Sequence, residues 1–160
     1  MKNFKILSIF FLLLYFSSFG LINAQETFLA PEFKLHDLND KEFSLSSYKD
    51  KKPVLLFFWT TWCPLCRSQI KLLNRKYPQL SQENLEILCI NVGESKEKIE
   101  SFLKKNYLAW PVLLDENMLV AYTFDIVGLP TYVLIDKEGY IVFIDNYFPF
   151  QDYKAILSKE

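Results

Sequence analysis

The stretch VLLFFWTTWCPLC, residues 54–66, dominates the interpretation of this chain. Its first six residues, Val54–Trp59, form a continuous apolar run of the kind that fills a strand buried on both faces. Two cysteines, Cys63 and Cys66, follow at the start of a helix-like segment. A helix N-terminus presents unpaired N–H groups and the positive end of the helix dipole, and both favour the thiolate form of Cys63. The stretch therefore predicts a dithiol that exchanges with disulfides, with Cys63 as the attacking sulfur.

Cys66 is expected to be the resolving thiol. It comes one helical turn after Cys63, on the same side of the helix and deeper, so it can attack a mixed disulfide on Cys63 and release the reduced partner. Pro64 suits the first helical position, where the missing N–H costs nothing and the fixed φ is already helical.

Two other interpretations of the pair were weighed. A zinc site needs a second pair of ligands, and the chain offers only Cys89 and His36. A structural disulfide between Cys63 and Cys66 would close too small a loop to restrict the unfolded chain much. We therefore expect a redox-active Cys63–Cys66 disulfide, with no metal and no other cofactor.

The first 24 residues have the pattern of an export signal. Two lysines precede an apolar run that extends through Phe16, and Ala24 supplies a small residue for cleavage. The apolar segment can also be extended to Ile22, which approaches the ~17 residues of a short membrane span, so an uncleaved anchor over residues 6–22 is the alternative. In both cases the lysines stay inside and the domain lies outside the cytoplasm, in the periplasm or at the outer face of the membrane.

Residues 25–160 are expected to form one domain. The chain has a formal net charge of −1, and its 18 basic and 19 acidic residues are dispersed, so no nucleic-acid surface is indicated. We expect a monomer. Cys89, in an apolar strand, is expected to be a buried packing residue, and His36 is given no role.

Hydrophobic patterns predict an α/β layer fold with a mixed central sheet covered on both faces. A helix after Cys63 is expected to stop at Pro78, and Gly139 marks the turn of a hairpin. The other predicted elements are an extended lead-in at 25–32, a hairpin from 33–35 and 42–45, strands at 54–59, 85–92, 110–114, 131–136 and 140–145, and helices at 94–106, 118–124 and 150–159.

Two sequence blocks resemble the exported TlpA/ResA-type thioredoxin-like thiol-disulfide oxidoreductases, which are related to AhpC/TSA proteins. The first is FWTTWCPLC, residues 58–66, and the second joins VGLPT, residues 127–131, to LIDKEG, residues 134–139. The resemblance implies a thioredoxin fold with an N-terminal β-hairpin extension. It also implies a protein that is exported or tethered to the membrane and that reduces disulfides of exported proteins, often apocytochromes during cytochrome c maturation.

The same resemblance assigns residues around the thiols. The proline that matches Pro130 is cis in such folds and lies against the cysteine pair, and Leu129 presents backbone groups to an extended client strand. Trp62 and Pro64 are expected at the client-binding surface, whereas Trp59 is interpreted equally well as a core residue.

The chain departs from the family near Cys66. Many members carry a glutamate three residues after the second cysteine, where it helps to move a proton, but this chain has Gln69. Related thioredoxins use a buried aspartate at the position of Phe57. An amide can only hydrogen-bond a thiol, so neither position offers a proton acceptor. Arg67 is expected to be a solvated helix residue.

The leading functional hypothesis is a protein-disulfide reductase whose clients are exported proteins and whose pair is re-reduced by a membrane thiol electron donor. A thiol oxidase or isomerase would use the same cysteines in the opposite direction. A different class is a non-catalytic copper or haem chaperone, although a copper carrier needs a histidine that faces the cysteines. A peroxidase is disfavoured because no Pro-x-x-x-Thr-x-x-Cys pattern precedes Cys63.

Overall fold

Strands and helices alternate along most of the part of the chain that the computed structural model describes, residues 28–158. The strands are β1 (Phe28–Leu29), β2 (Lys34–His36), β3 (Glu42–Ser44), β4 (Val54–Trp59), β5 (Glu86–Val92), β6 (Val112–Asp115), β7 (Thr131–Ile135) and β8 (Tyr140–Asp145). The helices are α1 (Pro64–Leu80), α2 (Lys96–Leu103), α3 (Leu119–Thr123) and α4 (Tyr153–Leu157), and a 3-10 turn spans Leu45–Ser47.

Strand β4 lies in the interior of a mixed sheet of order β1-β8-β7-β4-β5-β6. It pairs in parallel with β5 and antiparallel with β7, and all of its residues are buried. Phe57 and Trp59 belong to a core shared with α1, α2 and α4, while Leu56 and Phe58 belong to a second core shared with α3 and the β2–β3 hairpin. The predicted mixed sheet, covered on both faces, is confirmed, and this double burial explains why β4 is apolar without alternation.

The N-terminal hairpin is confirmed as a separate two-stranded sheet, in which Leu35 of β2 pairs with Phe43 of β3. Its turn is held by Asp37, whose Oδ1 accepts the backbone N–H of Asn39 at 2.8 Å and that of Lys41 at 3.0 Å. The preceding lead-in contains β1, which the sequence did not predict as a strand. It has only two residues and adds to the outer edge of β8.

Helix α1 does not stop at Pro78, as the sequence predicted, but continues to Leu80. A proline within a helix removes the N–H that would bond the carbonyl four residues earlier, here that of Asn74. The last turn nevertheless forms, because Leu80 is buried in the core and the Ser81 N–H donates to the Tyr77 carbonyl at 2.9 Å. Burial of a leucine therefore outweighs the loss of one hydrogen bond.

We expect Pro78→Ala to raise the free energy of unfolding. Alanine restores the hydrogen bond to the Asn74 carbonyl and favours the helix over proline by up to ~3 kcal/mol. Part of this is cancelled, because alanine makes the unfolded chain more flexible and because the helix already accommodates the proline. The net gain is therefore about 1 kcal/mol. Urea unfolding measures the gain. Pro53→Ala, outside any helix, is the control and should give none; an unchanged or lower stability for Pro78→Ala would contradict the expectation.

Three helices are shorter than predicted, and the smallest difference is at 118–124, where α3 spans Leu119–Thr123. The helix predicted at 94–106 is α2, which begins only at Lys96, and the helix predicted at 150–159 is α4. Glu94 lies outside α2, whose N-cap residue Ser95 has extended backbone angles, and the Glu94 carboxylate binds the backbone of Thr61 in the loop before the cysteine pair.

The N-terminal segment interpreted as an export signal or anchor, residues 1–24, lies outside the described residues. Within residues 28–158, none of the helices combines the length and the apolar character that crossing a membrane requires.

Candidate active site

The cysteine pair lies at the start of α1, after the short loop that follows β4. Trp59 ends the strand, and Cys63 occupies the N-cap position of α1 with extended backbone angles, φ −77° and ψ 114°. Its Sγ accepts a hydrogen bond from the backbone N–H of Cys66 at 3.1 Å. Pro64 occupies the first helical position of α1, as predicted. One of the unpaired N–H groups of the helix start is therefore directed at the sulfur that the sequence singled out.

Cys63 and Cys66 form a disulfide, with their Cα atoms 5.2 Å apart. Cys63 retains 4% of its surface and Cys66 retains none. Cys66 is thus the deeper sulfur, and an incoming group reaches the pair through Cys63. The opening is narrow, so a client must approach along the surface that surrounds Cys63.

The Leu129–Pro130 peptide bond is cis and lies beside the pair. The carbonyl oxygen of Leu129 is 3.7 Å from Cys63 Sγ. On the far side, the Asn146 side chain donates to the Pro130 carbonyl at 2.5 Å and to Thr131 Oγ1 at 3.3 Å. Asn146, which the sequence did not single out, therefore connects the end of β8 to residues 124–130, the segment between α3 and β7 that we call the proline loop.

Exposed apolar side chains occur beside Cys63 in the sequence and on the proline loop. Trp62 and Leu65 are 64% and 66% exposed, and Val127, on the proline loop, is 97% exposed. Next to Val127 lies a cleft of about 410 Å³ bounded by the proline loop and by residues 144–146 at the end of β8. Trp59, in contrast, is fully buried and belongs to the core. Apolar exposure of this kind is typical of a surface that binds another molecule.

Glu94 binds the loop that leads to Cys63, and sequence reasoning missed it because it begins a charged segment. Its carboxylate is 5% exposed and accepts hydrogen bonds from Thr61, Asn91 and Lys98. Burial opposes ionisation, but the bonds from Lys98, Thr61 and Asn91 outweigh it and lower the pKa of Glu94 below its ordinary value. The group is therefore a buried anion at neutral pH.

A sequence profile of the AhpC/TSA family matches residues 29–144. This chain belongs to the AhpC/TSA family. Among its relatives, the thiol-disulfide oxidoreductase ResA of Geobacillus kaustophilus is 40% identical over 110 residues, which cover 69% of this chain and 63% of the relative. ResA of Bacillus subtilis is 39% identical over 113 residues, which cover 71% of this chain and 63% of the relative. The aligned part is thus less than two thirds of these ResA proteins.

Solved structures confirm the predicted thioredoxin fold of this AhpC/TSA protein. A thiol-disulfide oxidoreductase from Bacteroides fragilis superimposes with a TM-score of 0.68 at 28% identity, covering 81% of this chain and 100% of that chain. The thioredoxin domain of a thiol-disulfide oxidoreductase from Bacteroides vulgatus gives a TM-score of 0.69 at 25% identity, covering 81% and 93%. The predicted resemblance to ResA-type oxidoreductases is confirmed as well.

Gln69, the departure from the family pattern, is engaged by a buried phenol. Its Oε1 accepts a hydrogen bond from the Tyr132 hydroxyl at 3.1 Å. Burial, with smaller contributions from Cys89 and Tyr147, raises the pKa of Tyr132, so the phenol stays protonated and donates. Phe57 stacks on the same tyrosine, with ring centroids 4.9 Å apart. Gln69 and Phe57 therefore both contact the buried Tyr132, one by a hydrogen bond and the other by stacking.

The remaining candidates are Cys89, His36 and Arg67. Cys89 is a free and fully buried cysteine, as expected, and burial raises the pKa of its thiol. His36 is exposed on β2. Arg67 is exposed, but its Nη1 also donates to the Thr61 carbonyl at 3.3 Å. Within residues 28–158 no three side chains of His, Cys, Asp or Glu are grouped so as to hold a metal ion.

We expect Glu94→Gln to make the free energy of unfolding less dependent on pH in the acid range. The carboxylate has a lowered pKa in the folded protein, so it stabilises the fold above the ordinary value of 4.5 and loses this effect as the pH falls below it. At neutral pH the variant should lose about 2 kcal/mol of unfolding free energy, the scale of hydrogen bonds to a charged group. Urea unfolding at neutral pH and near pH 3 measures both values.

The stabilities of wild type and Glu94→Gln should converge in acid. Glu138→Gln, which changes a more exposed carboxylate with a single lysine near it, is the control and should match wild type at neutral pH. A gap between wild type and Glu94→Gln that stays constant down to about pH 3 would contradict the assigned direction of the pKa.

Proposed function

We propose that this protein is an exported thiol-disulfide oxidoreductase that reduces disulfides of extracytoplasmic proteins, apocytochromes among them. The observation that carries the proposal is the Cys63–Cys66 disulfide at the start of α1, with the Cys66 N–H directed at Cys63 Sγ. A thiolate at that position receives a hydrogen bond and lies at the positive end of the helix dipole. The names of the ResA relatives support the same chemistry.

In the proposed reaction the Cys63 thiolate attacks one sulfur of the client disulfide. A bond forms between Cys63 and that sulfur, and the other client sulfur leaves as a thiolate that takes up a proton. The Cys66 sulfur then attacks Cys63, and the bond between Cys63 and the client breaks as the Cys63–Cys66 disulfide forms. The proton that Cys66 gives up is balanced, through solvent, by the one that the departing client sulfur takes up, so the client leaves as a dithiol. Two electrons pass from the pair to the client, and a membrane thiol donor returns them. No cofactor beyond the pair is needed.

We place the client along the surface formed by Trp62, Pro64, Leu129 and Pro130. The exposed indole of Trp62 offers an apolar contact on one side of Cys63. The Leu129 carbonyl, near Cys63 Sγ, offers a hydrogen-bond acceptor to an extended client strand on the other side. Pro130 has no N–H that would compete with the thiols for the same partner.

The direction of exchange is tested by equilibrating the whole protein with glutathione and dithiothreitol buffers and counting free thiols by mass. A reductase requires a reduction potential below about −220 mV, whereas an oxidase requires one near −120 mV. A value at the oxidising end would contradict the proposed direction and leave the exchange chemistry standing.

Clients and location are tested together in the native cell. A Cys66→Ser variant lacks the resolving thiol, so mixed disulfides on Cys63 should accumulate and can be identified by mass spectrometry. Extracytoplasmic proteins with paired cysteines are the expected partners, and Cys63→Ser with Cys66→Ser is the matched control that should trap none. Sequencing the N-terminus of the recovered protein shows whether cleavage follows Ala24 or residues 6–22 stay as a tether.

A further inference from the structure

All three polar groups of Thr61, two residues before Cys63, are held by other elements. Its N–H donates to Glu94 Oε2 and its hydroxyl donates to Glu94 Oε1, both at 2.7 Å. Its carbonyl accepts from Arg67 Nη1 at 3.3 Å. Glu94 comes from the segment between β5 and α2, and Arg67 comes from α1. Thr61 is therefore fixed from both sides of the loop.

Glu94 is itself fixed. Asn91, near the end of β5, donates to Oε2 at 3.0 Å, and Lys98 of α2 lies 2.7 Å from Oε1. These contacts and the two from Thr61 satisfy a buried carboxylate on both oxygens, which offsets the cost of removing its charge from water. Such a group has one position, unlike a carboxylate on the surface.

The loop has little else to hold it. Trp62 projects into solvent, and the Thr60 hydroxyl is buried without a hydrogen-bond partner. Cys63 itself is restrained by the disulfide to Cys66 and by its carbonyl, which accepts the Arg67 N–H at 3.2 Å. The disulfide is broken in the reduced form. The contacts of Thr61 with Glu94 therefore matter most when Cys63 is a free thiol.

We propose that Glu94 is a positioning residue for Cys63: through Thr61 it keeps the reduced sulfur at the N-cap of α1, where the Cys66 N–H can bind it. The proposal rests on the proposed role of Cys63 as the attacking thiol. Without this anchor the Cys63 sulfur moves from its position, and the hydrogen bond and the helix dipole stabilise the thiolate less. The fraction of Cys63 that is ionised at neutral pH then falls, and its reactions slow.

The test is the rate at which iodoacetamide alkylates Cys63 in the reduced protein, measured against pH, with the modified residue assigned by mass spectrometry. Four variants are compared with wild type: Glu94→Ala, Glu94→Gln, Glu83→Gln and Thr61→Val. Glu94→Ala removes both hydrogen bonds that Thr61 donates to Glu94, whereas Glu94→Gln keeps the shape and can still accept the Thr61 N–H. Glu83→Gln is the control: like Glu94, Glu83 binds a hydroxyl and a lysine, here those of Tyr153 and Lys154, but it lies beyond the C-terminal end of α1.

We expect Glu94→Ala to slow alkylation at neutral pH about fivefold and to move the pH profile to higher pH. Glu94→Gln should recover at least half of that loss, and Glu83→Gln should match wild type. Thr61→Val, which removes only the hydroxyl contact, should fall between wild type and Glu94→Ala, and it replaces Glu94→Ala if that variant does not fold.

Two results would overturn the proposal. Unchanged profiles in the Glu94 and Thr61 variants, with lower stability alone, would make Glu94 a purely structural residue. Equal acceleration in Glu94→Ala and Glu94→Gln would mean that its charge, not its contacts, acts on Cys63. Alkylation needs no client, so a wild type that fails to reduce insulin would refute the proposed function and leave this inference to be judged on its own data.

Discussion

Replacing Cys63 with serine is expected to abolish the reduction of insulin disulfides. A serine hydroxyl is not ionised at neutral pH and does not attack sulfur, so the rate should fall by about a thousandfold or more, to that of the dithiothreitol in the assay. The turbidity that follows release of the insulin B chain measures the rate. The position of Cys63 at the N-cap of α1, where the Cys66 N–H meets its Sγ, is the physical basis of the expectation.

The matched controls are the other two cysteines. Cys66→Ser keeps the attacking thiol but cannot resolve the intermediate, so it should form mixed disulfides and turn over slowly. Cys89→Ser changes a buried sulfur outside the pair and should keep the wild-type rate per folded molecule. Activity that survives in Cys63→Ser would remove Cys63 from the reaction.

Tyr132→Ala is expected to cause the largest loss of stability. The ring is fully buried, stacks on Phe57 at 4.9 Å and packs against Phe148 at 5.7 Å between centroids. Truncation to alanine leaves a cavity where two strands and the C-terminal segment meet, which should cost about 4 kcal/mol of unfolding free energy. Urea unfolding followed by circular dichroism measures the loss.

A second substitution separates the ring from its hydroxyl. Tyr132→Phe keeps the ring and removes only the hydrogen bond to Gln69, so it should cost about 1 kcal/mol. Tyr122→Ala removes an exposed tyrosine and should cost less than about 0.5 kcal/mol. If Tyr132→Phe were as destabilising as Tyr132→Ala, the hydroxyl and not the packing would dominate.

The sequence predicts well those features that depend on local pattern. An apolar run without alternation requires burial on both faces, and this places Val54–Trp59 inside the sheet before any coordinates are known. The spacing of Cys63 and Cys66 after that run sets both sulfurs on one side of a helix start. The hairpins follow from turn chemistry at Asn39-Asp40 and at Gly139, whose φ of 98° suits glycine.

Features that depend on distant contacts could not be predicted. Glu94 looks like the first residue of a charged helix, and only the fold shows that its partner is Thr61, 33 residues away. Pro78 is a helix stop by local rules, and burial of Leu80 overrides them. Strand β1 has two residues, too few for a pattern, and exists because β8 offers it an edge. In each case tertiary contacts, and not the local sequence pattern, determine the structure.

Burial of Cys89 in β5 also limits the wrong disulfides that the chain can form while it folds. Three cysteines allow three pairings, and an oxidising environment would sample them all in an unfolded chain. Once β5 is enclosed by its neighbours, Cys89 is out of reach of oxidants and of the other two sulfurs. Of the three pairings open to the unfolded chain, the folded protein keeps one, that between Cys63 and Cys66.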